Sequence, residues 1–366
     1  MTFNPILHGL RGLAAMTVLL YHWASTYPHA AVTYQAVPFL GTEWNLFLFV
    51  GLGWNGVHWF FVLSGYLLAS KLLHDLTTAD ASSIARFWQR RVLRIYPAVW
   101  LQLSLLLPLT WWIGQAPDYQ WQAVLANYLL WTDPLPGGVS FYNGVYWTLP
   151  LELSFYLLLP FVVLLHRRIG FWNVIALALL ITLAWRFGIA WLIESGRADI
   201  NPSRMRTLLP GMLMVFMAGY AITRFPQHIS DRLRYGLLAG ALLAYVLWHE
   251  ALVAWRLALP KTHWFMASWE VVLGLLIGLI IALLLKPLPL WRWLGARPLV
   301  WLGDMSFGIY LWHWPVLRLL RRVVPGPWST LEGSWLALLV CLAITLPLAM
   351  LSYRLVEKPA LDWIAR

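Results

Sequence analysis

The sequence has little charge and almost no cysteine. Only 11% of its 366 residues are Asp, Glu, Lys or Arg, whereas 61% are hydrophobic. Such a chain is not disordered, collagen-like or a coiled coil, because those classes lack the apolar content to leave water. The one cysteine, Cys341, excludes an intrachain disulfide and a cysteine-rich zinc site. With 26 tryptophans as well, the composition indicates an integral membrane protein.

Basic residues outnumber acidic ones by 26 to 15. An excess of this kind can indicate nucleic-acid binding, but here the basic residues lie between long apolar segments and not on one polar domain. The surface of a membrane explains their placement more simply. We therefore expect the lipid bilayer as a partner, and no nucleic acid.

Ten segments are apolar enough to cross a bilayer, which takes about 20 residues each. They are 8–24, 46–70, 95–113, 145–165, 171–193, 207–223, 235–255, 266–285, 298–317 and 332–352. The first is not expected to be a cleaved signal peptide, because His and Arg lie within it and no small-residue cleavage site follows. The expected fold is an all-α, polytopic membrane bundle of about ten helices. It forms one domain over residues 1–366, with no appended soluble domain.

Lys and Arg are about twice as frequent in the loops on the side of the N terminus as on the other side, which places both termini in the cytoplasm. The expected location is a bacterial cytoplasmic (inner) membrane. Arg318, Arg321 and Arg322, at the tail of the ninth span, break the rule.

Two loops are distinctive. Residues 71–94 form a predicted cytoplasmic connection that contains a short helix capped by Ser82 or Ser83. On charge alone, its arginines favour a patch for anionic lipid over a dedicated phosphate site; they are Arg86, Arg90, Arg91 and Arg94. On the outer side, the apolar stretch 121–131 is too short to span and is predicted to lie in the interface or to re-enter.

Ionisable groups inside spans are costly and are functional candidates by default. The candidates are His22, His58, Glu152, Arg186, Asp304 and His313. For His249, Glu250 and Glu270, near predicted outer ends, interfacial solvation is the expectation. No metal is expected.

Arg11 and His22 are 11 residues apart, so on a helix they share a face within roughly 20° and are separated by about 16 Å. One interpretation is a positive-inside anchor together with a histidine hydrogen-bonded in the bundle. The other is a contact to a donor phosphate at the inner edge, with a general base deeper in the membrane.

Glu152 shares a helix face with Tyr156, four residues later. Three roles are open for its carboxylate. It could hold His22 in one tautomer, bind a sugar hydroxyl, or be the structural partner of Arg186.

Six motifs in this order resemble the acyltransferase-3 family of integral membrane acyltransferases. They are HGLRGLAA at 8–15 leading to His22, GVHWFFVLSGY at 56–66, FWQRRVLRIYP at 87–97, WTLPLELSFY at 147–156, GDMSFGIYLWHWP at 303–315 and SYRLVEKP at 352–359. Each motif alone is weak evidence for the family, but the six motifs together cover essentially the whole chain.

The resemblance implies transfer of an acyl group, usually acetyl from cytoplasmic acetyl-CoA, to a hydroxyl of an extracytoplasmic or lipid-linked carbohydrate. The family's essential histidine corresponds to His22, and its glutamate to Glu152. Its arginines correspond to Arg11, Arg91 and Arg94, which with Arg90 would hold the phosphates of CoA, the acyl donor.

For the acceptor, the expected binding residues are Trp147, Tyr156, His313 and His58. Many relatives have Asp where this chain has His58, so Glu152 becomes the leading candidate to orient His22. Outer aromatic residues could stack on sugar rings, although an aromatic belt also explains them; they are Trp54, Trp131, Tyr142, Tyr146 and Trp147.

Two other function classes remain open. A transporter or flippase for acyl groups or lipid-linked sugars would also have ten spans, but its inverted repeats and paired broken helices are not visible. A structural partner of a polysaccharide-assembly complex would explain the aromatic residues but not the arginines. Such assembly machinery is a possible partner in either case.

Overall fold

The computed structural model describes residues 4–27, 36–39, 42–45, 48–75, 81–114, 120–132, 141–196, 205–255, 258–260, 262–324, 326, 328 and 330–365. Nearly all of these residues are helical, which confirms the all-α class. A small antiparallel hairpin of β1 (Ala36–Phe39) and β2 (Thr42–Asn45), with Ala36 opposite Asn45, was not expected.

The helices are α1 Pro5–Thr26, α2 Leu48–Leu52, α3 Gly56–Asp75, α4 Ala81–Trp112, α5 Trp121–Tyr128, α6 Thr148–Ile169, α7 Phe171–Glu194, α8 Leu209–Ala221, α9 Asp231–Trp255, α10 Trp264–Leu284, α11 Arg297–Asp304, α12 Ser306–Val323, α13 Leu331–Ser352 and α14 Lys358–Ala365. Short 3₁₀ helices occupy Gly53–Asn55, Gly144–Trp147, Ile222–Arg224 and Pro289–Gly295, and a π-helical turn, Tyr353–Glu357, joins α13 to α14.

In the described part of the chain, seven helical stretches are long and apolar enough to cross a membrane. They are Val50–His74, Ser82–Trp112, Gly144–Ile169, Phe171–Glu194, Asp231–Trp255, Trp264–Leu284 and Leu331–Trp363. Of the three other expected spans, 8–24 lies within α1, and 207–223 corresponds to the shorter α8 with its 3₁₀ extension. A multi-pass integral membrane protein is therefore confirmed.

The expected span 298–317 is not one helix. α11 ends at Asp304, Met305 has the non-helical angles φ −98° and ψ 14°, and α12 begins at Ser306. The break lies where Gly303 packs directly against the backbone of His8 and the Asp304 carboxylate meets the His8 ring. Tertiary contacts with α1 thus accompany an interruption that hydropathy alone does not reveal.

The predicted cytoplasmic helix of 71–94 is not separate from the third span. Both belong to α4, a single helix of 32 residues. The helix continues past Arg94 and through Pro97. The four arginines therefore lie on the first turns of a membrane helix. The short α5, by contrast, agrees with the expectation that 121–131 does not span.

The chain forms two compact units. Unit 1 comprises Met1–Leu7, His58–Trp88 and Leu151–Trp293, and unit 2 comprises His8–Val57, Gln89–Pro150 and Leu294–Arg366. The single domain expected over residues 1–366 stays a prediction.

Unit 1 contains a buried arginine. Arg186 on α7 is 1% exposed, forms an ion pair with Glu270 on α10, and donates hydrogen bonds to the carbonyls of Ala267 and Gly211. Because Arg186 is occupied in this way, the interpretation of Glu152 as its partner is wrong. The expectation of interfacial solvation is also wrong for Glu270, whose carboxylate balances a buried cation.

In unit 2, α1 and α12 run in the same direction, since His22 contacts His313 and Tyr27 donates a hydrogen bond to the carbonyl of Leu317. α4 is parallel to them, because Arg94 lies over Phe307 and Gln102 contacts the carbonyl of Leu311, further along α12. α13 packs against α12.

Gly9 allows the first turns of α1 to approach the 3₁₀ helix Pro289–Gly295. A Cβ at Gly9 would overlap the carbonyl oxygen of Leu294. Close approach of backbones through small residues is a common way to pack membrane helices.

We predict that Gly9→Ala destabilises the protein by about 1–3 kcal/mol, because the added methyl group must displace backbone. The measurement is the melting temperature of the detergent-solubilised protein. The control is Gly236→Ala on α9, where nothing lies within 4 Å of the new Cβ and the higher helix propensity of Ala should favour folding by about 1 kcal/mol. Equal melting temperatures for the two variants would contradict the close approach.

Candidate functional site

The imidazoles of His22 and His313 form the centre of the candidate site in unit 2. Nδ1 of His22 on α1 lies 2.8 Å from Nε2 of His313 on α12. The two rings are nearly parallel, at 16°, with centroids 5.0 Å apart. His313 is fully buried, whereas His22 is partly exposed. His313, expected to bind the acceptor, is thus the direct neighbour of the expected base.

Hydrogen bonding determines which nitrogen carries each proton in the neutral pair. Nδ1 of His313 lies 3.0 Å from the carbonyl oxygen of Ile309, one turn earlier. A carbonyl only accepts, so this Nδ1 carries hydrogen, and Nε2 of His313 must accept from Nδ1–H of His22. The lone pair of His22 is then on Nε2, which makes no hydrogen bond within the described residues. This arrangement suits a general base.

Trp314 also packs against His22. Its ring meets the imidazole at 67°, with centroids 4.7 Å apart. The same indole covers Gly144, where a Cβ would overlap the ring. The 3₁₀ helix that begins at Gly144 is therefore in contact with the residue that holds His22.

A buried network of amides fixes this 3₁₀ helix. Asn143 caps it by accepting from the amide of Val145, and donates to the carbonyl of Leu311 at 2.9 Å and to Oε1 of Gln102 at 3.1 Å. Tyr146 donates to the same Oε1 at 2.6 Å. Asn143, Gln102 and Tyr146 are all completely buried, so unmatched polar groups here would be costly. Tyr146 was expected among the sugar-stacking aromatics; its burial makes that expectation wrong.

A second cluster lies near the first turns of α1. Arg94 of α4 forms an ion pair with Glu357 at 3.4 Å and lies over the ring of Phe307. The Glu357 side chain is 0% exposed and that of Arg94 is 18% exposed. Arg11 also acts electrostatically on Glu357. His8 and Asp304 form a neighbouring pair at 3.0 Å, and the charges of Arg11 and Arg94 act on His8.

The structure therefore brings two of the four expected phosphate ligands, Arg11 and Arg94, to one cluster. Arg90 and Arg91 are partly buried on the same helix as Arg94. Arg86, one turn earlier, is exposed and donates to the hydroxyl of Ser83.

The remaining expected residues have these surroundings. In unit 1, Glu152 accepts a hydrogen bond from Tyr156 at 2.5 Å, as their shared face predicts. Also in unit 1, His58 is 3% exposed and meets the edges of Phe61 and Trp269. In unit 2, Trp147 is partly exposed at the end of its 3₁₀ helix. Their expected roles stay predictions.

Sequence reasoning missed Gln102, Asn143 and Glu357 as site residues. A signal was present for Gln102, because an amide inside an apolar span is costly without a partner. Glu357 is an acid within the last family-like motif, but its partner Arg94 is 263 positions away. No pattern in the sequence reports that contact.

Comparison with known proteins agrees with the motifs. Residues 4–354 match the family model described as "Acyltransferase domain". "O-acetyltransferase OatA" of Staphylococcus aureus (strain NCTC 8325 / PS 47) is 24% identical over 394 residues, which cover 98% of this chain and 57% of that protein. "Putative O-acetyltransferase SAS0844" of S. aureus (strain MSSA476) is 23% identical over 398 residues, covering 99% and 59%. The chain thus spans less than two thirds of these relatives. No solved structure matches it.

We predict that Asn143→Ala destabilises the protein by about 1–3 kcal/mol, because its buried hydrogen bonds to three residues are lost. The measurement is again the melting temperature in detergent. Asn173→Ala is the matched control, since the Asn173 amide is exposed and, among the residues that the structure describes, donates only to the carbonyl of Ile169. Its effect should stay within about 0.5 kcal/mol. Equal effects of the two substitutions would show that the network does not hold the 3₁₀ helix.

Proposed function

The chain belongs to the acyltransferase-3 family, and from this premise we propose that it is a membrane-bound O-acetyltransferase. It would move an acetyl group from cytoplasmic acetyl-CoA to a hydroxyl of a cell-surface or lipid-linked carbohydrate. The names of the similar O-acetyltransferases support acetyl transfer. Bacterial polysaccharide-assembly machinery would be the source of the acceptor.

One observation supports the chemistry most directly: His22 pairs with His313 so that Nε2 of His22 carries the lone pair. The acyl carbon of a thioester is already activated, so the reaction needs mainly a proton acceptor for the attacking hydroxyl. Nε2 of His22 would take that proton while the hydroxyl oxygen forms a bond to the acyl carbon. The C–S bond then breaks, and the CoA thiolate takes up from His22 the proton that came from the hydroxyl.

His313 is a positioning residue in this proposal. Its Nε2 accepts from Nδ1–H of His22 and so selects the tautomer that works as a base. This is the role that the sequence suggested for Glu152. The two proposals are separable, because only one of them requires His313.

The donor would bind at the arginine cluster. CoA carries a pyrophosphate and a 3′-phosphate, which planar guanidinium groups bind through paired hydrogen bonds. Glu357 lies near one terminal nitrogen of Arg94, and a guanidinium has five N–H donors. Arg94 can therefore be fixed by Glu357 and still contact phosphate, together with Arg11, Arg91 and Arg90.

Within unit 2, acceptor binding is assigned to the partly exposed Trp147. The acceptor-binding roles that the motifs suggest for Tyr156, His58 and His313 stay predictions. Trp147 is the last residue of the 3₁₀ helix that contacts Trp314, so a sugar stacked on Trp147 would lie on the element that contacts the neighbour of His22.

We also propose ten crossings with both termini in the cytoplasm. Because α4 and α12 are parallel, an odd number of crossings must separate them along the chain. The long apolar helices between them are α6, α7, α9 and α10, which is an even number. The shorter apolar α8 with its extension, Leu209–Arg224, supplies the fifth. With α1 and α12 counted as crossings, the total is ten.

We predict that His22→Ala abolishes transfer without loss of folded protein, because it removes the base and buries no new charge. His313→Leu should lower the rate by about 10²–10⁴-fold, since the tautomer is no longer selected. His313→Gln should retain more activity, because its amide oxygen can still accept from His22. The measurement is base-labile acetate on the cell surface, normalised to protein in the membrane.

Glu152→Gln tests the other proposal in the same assay. A severe loss in Glu152→Gln beside a nearly active His313→Leu would return the orienting role to Glu152. If His58→Ala alone were severe, the role would belong to His58. Near-wild-type acetylation by well-expressed His22→Ala would refute His22 as the base.

We further predict that Arg91→Lys and Arg94→Lys each raise the apparent KM for acetyl-CoA, because lysine retains the charge but loses the planar fork. The measurement is release of CoA thiol by membrane vesicles as a function of acetyl-CoA concentration. Arg86→Lys is the control, since Arg86 is exposed and donates to the hydroxyl of Ser83. An unchanged KM in both variants would favour a lipid patch instead.

A further inference from the structure

An acyl-transfer site needs more than a base. When a hydroxyl oxygen attacks the carbon of a thioester, the carbonyl oxygen gains negative charge in a tetrahedral intermediate. An N–H donor beside that oxygen lowers the barrier, because the charge would otherwise form in an apolar site with a low dielectric constant. Such a donor must lie near His22 and must not be committed to another group of the protein.

Several polar side chains near the histidine pair already have partners in unit 2. The hydroxyl of Tyr310 donates to the carbonyl of Val145 at 2.9 Å. The hydroxyl of Tyr146 donates to Gln102 at 2.6 Å, and both amide hydrogens of Asn143 are bound as well. The hydrogens of these groups therefore hold the elements around the site together.

The indole N–H of Trp314 differs from these donors. Its ring contacts the imidazole of His22, with centroids 4.7 Å apart. Within the part of the chain that the structure describes, no group accepts a hydrogen bond from Nε1 of Trp314, and this nitrogen is not sealed inside protein. The buried Nε1 of Trp23 shows the contrast, since it donates to the carbonyl of Ser334 at 2.7 Å. Nε1 of Trp314 is therefore an accessible donor beside the candidate base.

Three contacts restrain the orientation of this indole. His22 meets its ring at 67°, and the guanidinium of Arg318 lies over the ring, 5.7 Å from its centroid. On the nitrogen side, a Cβ at residue 144 would lie 2.6 Å from Nε1. Because this residue is Gly144, it places no side chain against the N–H. A donor that is oriented in advance needs little reorganisation during the reaction.

The position of Trp314 suits the carbonyl oxygen of a bound thioester. The attacking hydroxyl and the carbonyl oxygen are bonded to the same carbon in the intermediate. The base must lie about 3 Å from the first oxygen and the N–H donor about 3 Å from the second. Two rings in direct contact, like those of His22 and Trp314, allow both distances at once.

We propose that Trp314 is a further catalytic residue, whose Nε1–H donates a hydrogen bond to the carbonyl oxygen of the acyl group. This inference rests on the proposed function and adds to it the stabilisation of the oxyanion. The hydroxyl oxygen bonds to the acyl carbon, its proton goes to Nε2 of His22, and the π electrons of the carbonyl move to its oxygen. Trp314 gives up no proton. The carbonyl then re-forms as the C–S bond breaks, and the thiolate takes up the proton held by His22.

The test replaces Trp314 in the full-length protein by benzothienylalanine, which has the shape of tryptophan but carries sulfur in place of the N–H. Release of CoA thiol by membrane vesicles is measured as a function of acetyl-CoA concentration and normalised to the protein in the membrane. We expect kcat to fall about 10²–10³-fold, the effect of losing one oxyanion donor, while KM for acetyl-CoA changes little.

Trp100→benzothienylalanine is the matched control. Trp100 is an exposed residue of α4, and its indole donates to the carbonyl of Tyr128 at 3.0 Å. This variant loses an observed hydrogen bond, yet it should transfer acetate like the parent.

A second pair of variants uses natural amino acids at the same position. Trp314→Phe removes the N–H and should lower kcat at least as much as benzothienylalanine does. Trp314→His should retain more activity than Trp314→Phe, because Nε2–H of histidine occupies the place of the indole N–H on the five-membered ring. If the benzothienylalanine protein does not reach the membrane, equal kcat values for these two variants would overturn the proposal.

The outcomes separate this inference from the proposed function. If the parent transfers acetate and Trp314→benzothienylalanine keeps its kcat, the inference fails and the proposed function stands. A raised KM with unchanged kcat would also overturn the inference, because the indole would then only bind the donor. If the parent itself releases no CoA thiol and transfers no acetate, the proposed function fails, and this inference fails with it.

Discussion

The contact between His22 and His313 is the interaction on which the rest of the candidate site depends. It joins two parallel helices through histidines that are 291 positions apart in the sequence. It also determines which nitrogen of His22 can accept a proton. The hydrogen bond from His313 to its own helix backbone is what makes this choice, because the carbonyl of Ile309 can only accept. Trp314, Gly144 and the amide network then hold the elements around the pair. A polar group in so apolar a chain needs such partners, since an unmatched group is costly.

The features of the fold that could be predicted are those that depend on neighbouring residues in the sequence. Apolar runs gave the positions of most membrane helices, and helical geometry placed Arg11 and His22 on one continuous helix. The same local reasoning failed at Met305, because contacts between α11 and α1 accompany that break. It also failed at Arg94, where the expected boundary between a surface helix and a span does not exist.

The site was predictable in its residue types and not in its pairings. Local chemistry identified His22, Glu152 and the arginines, since ionisable residues are rare within apolar spans. It could not show that His313 faces His22, that Glu357 pairs with Arg94, or that Glu270 and not Glu152 balances Arg186. Each of these contacts joins residues far apart in sequence. Gln102 and Asn143 were missed for a different reason, because uncharged amides were not counted among the costly groups.

α12 connects two parts of the proposed reaction. Its first residues follow the break beside His8 and Asp304, where the arginine cluster would hold the donor phosphates. Its middle carries His313, which orients the base. A displacement of this helix along its axis would move His313 away from His22 and Phe307 away from Arg94 together. The many buried residues of α12 and its packing against α13 oppose such a displacement, so the candidate base stays aligned with the arginine cluster that would hold the donor.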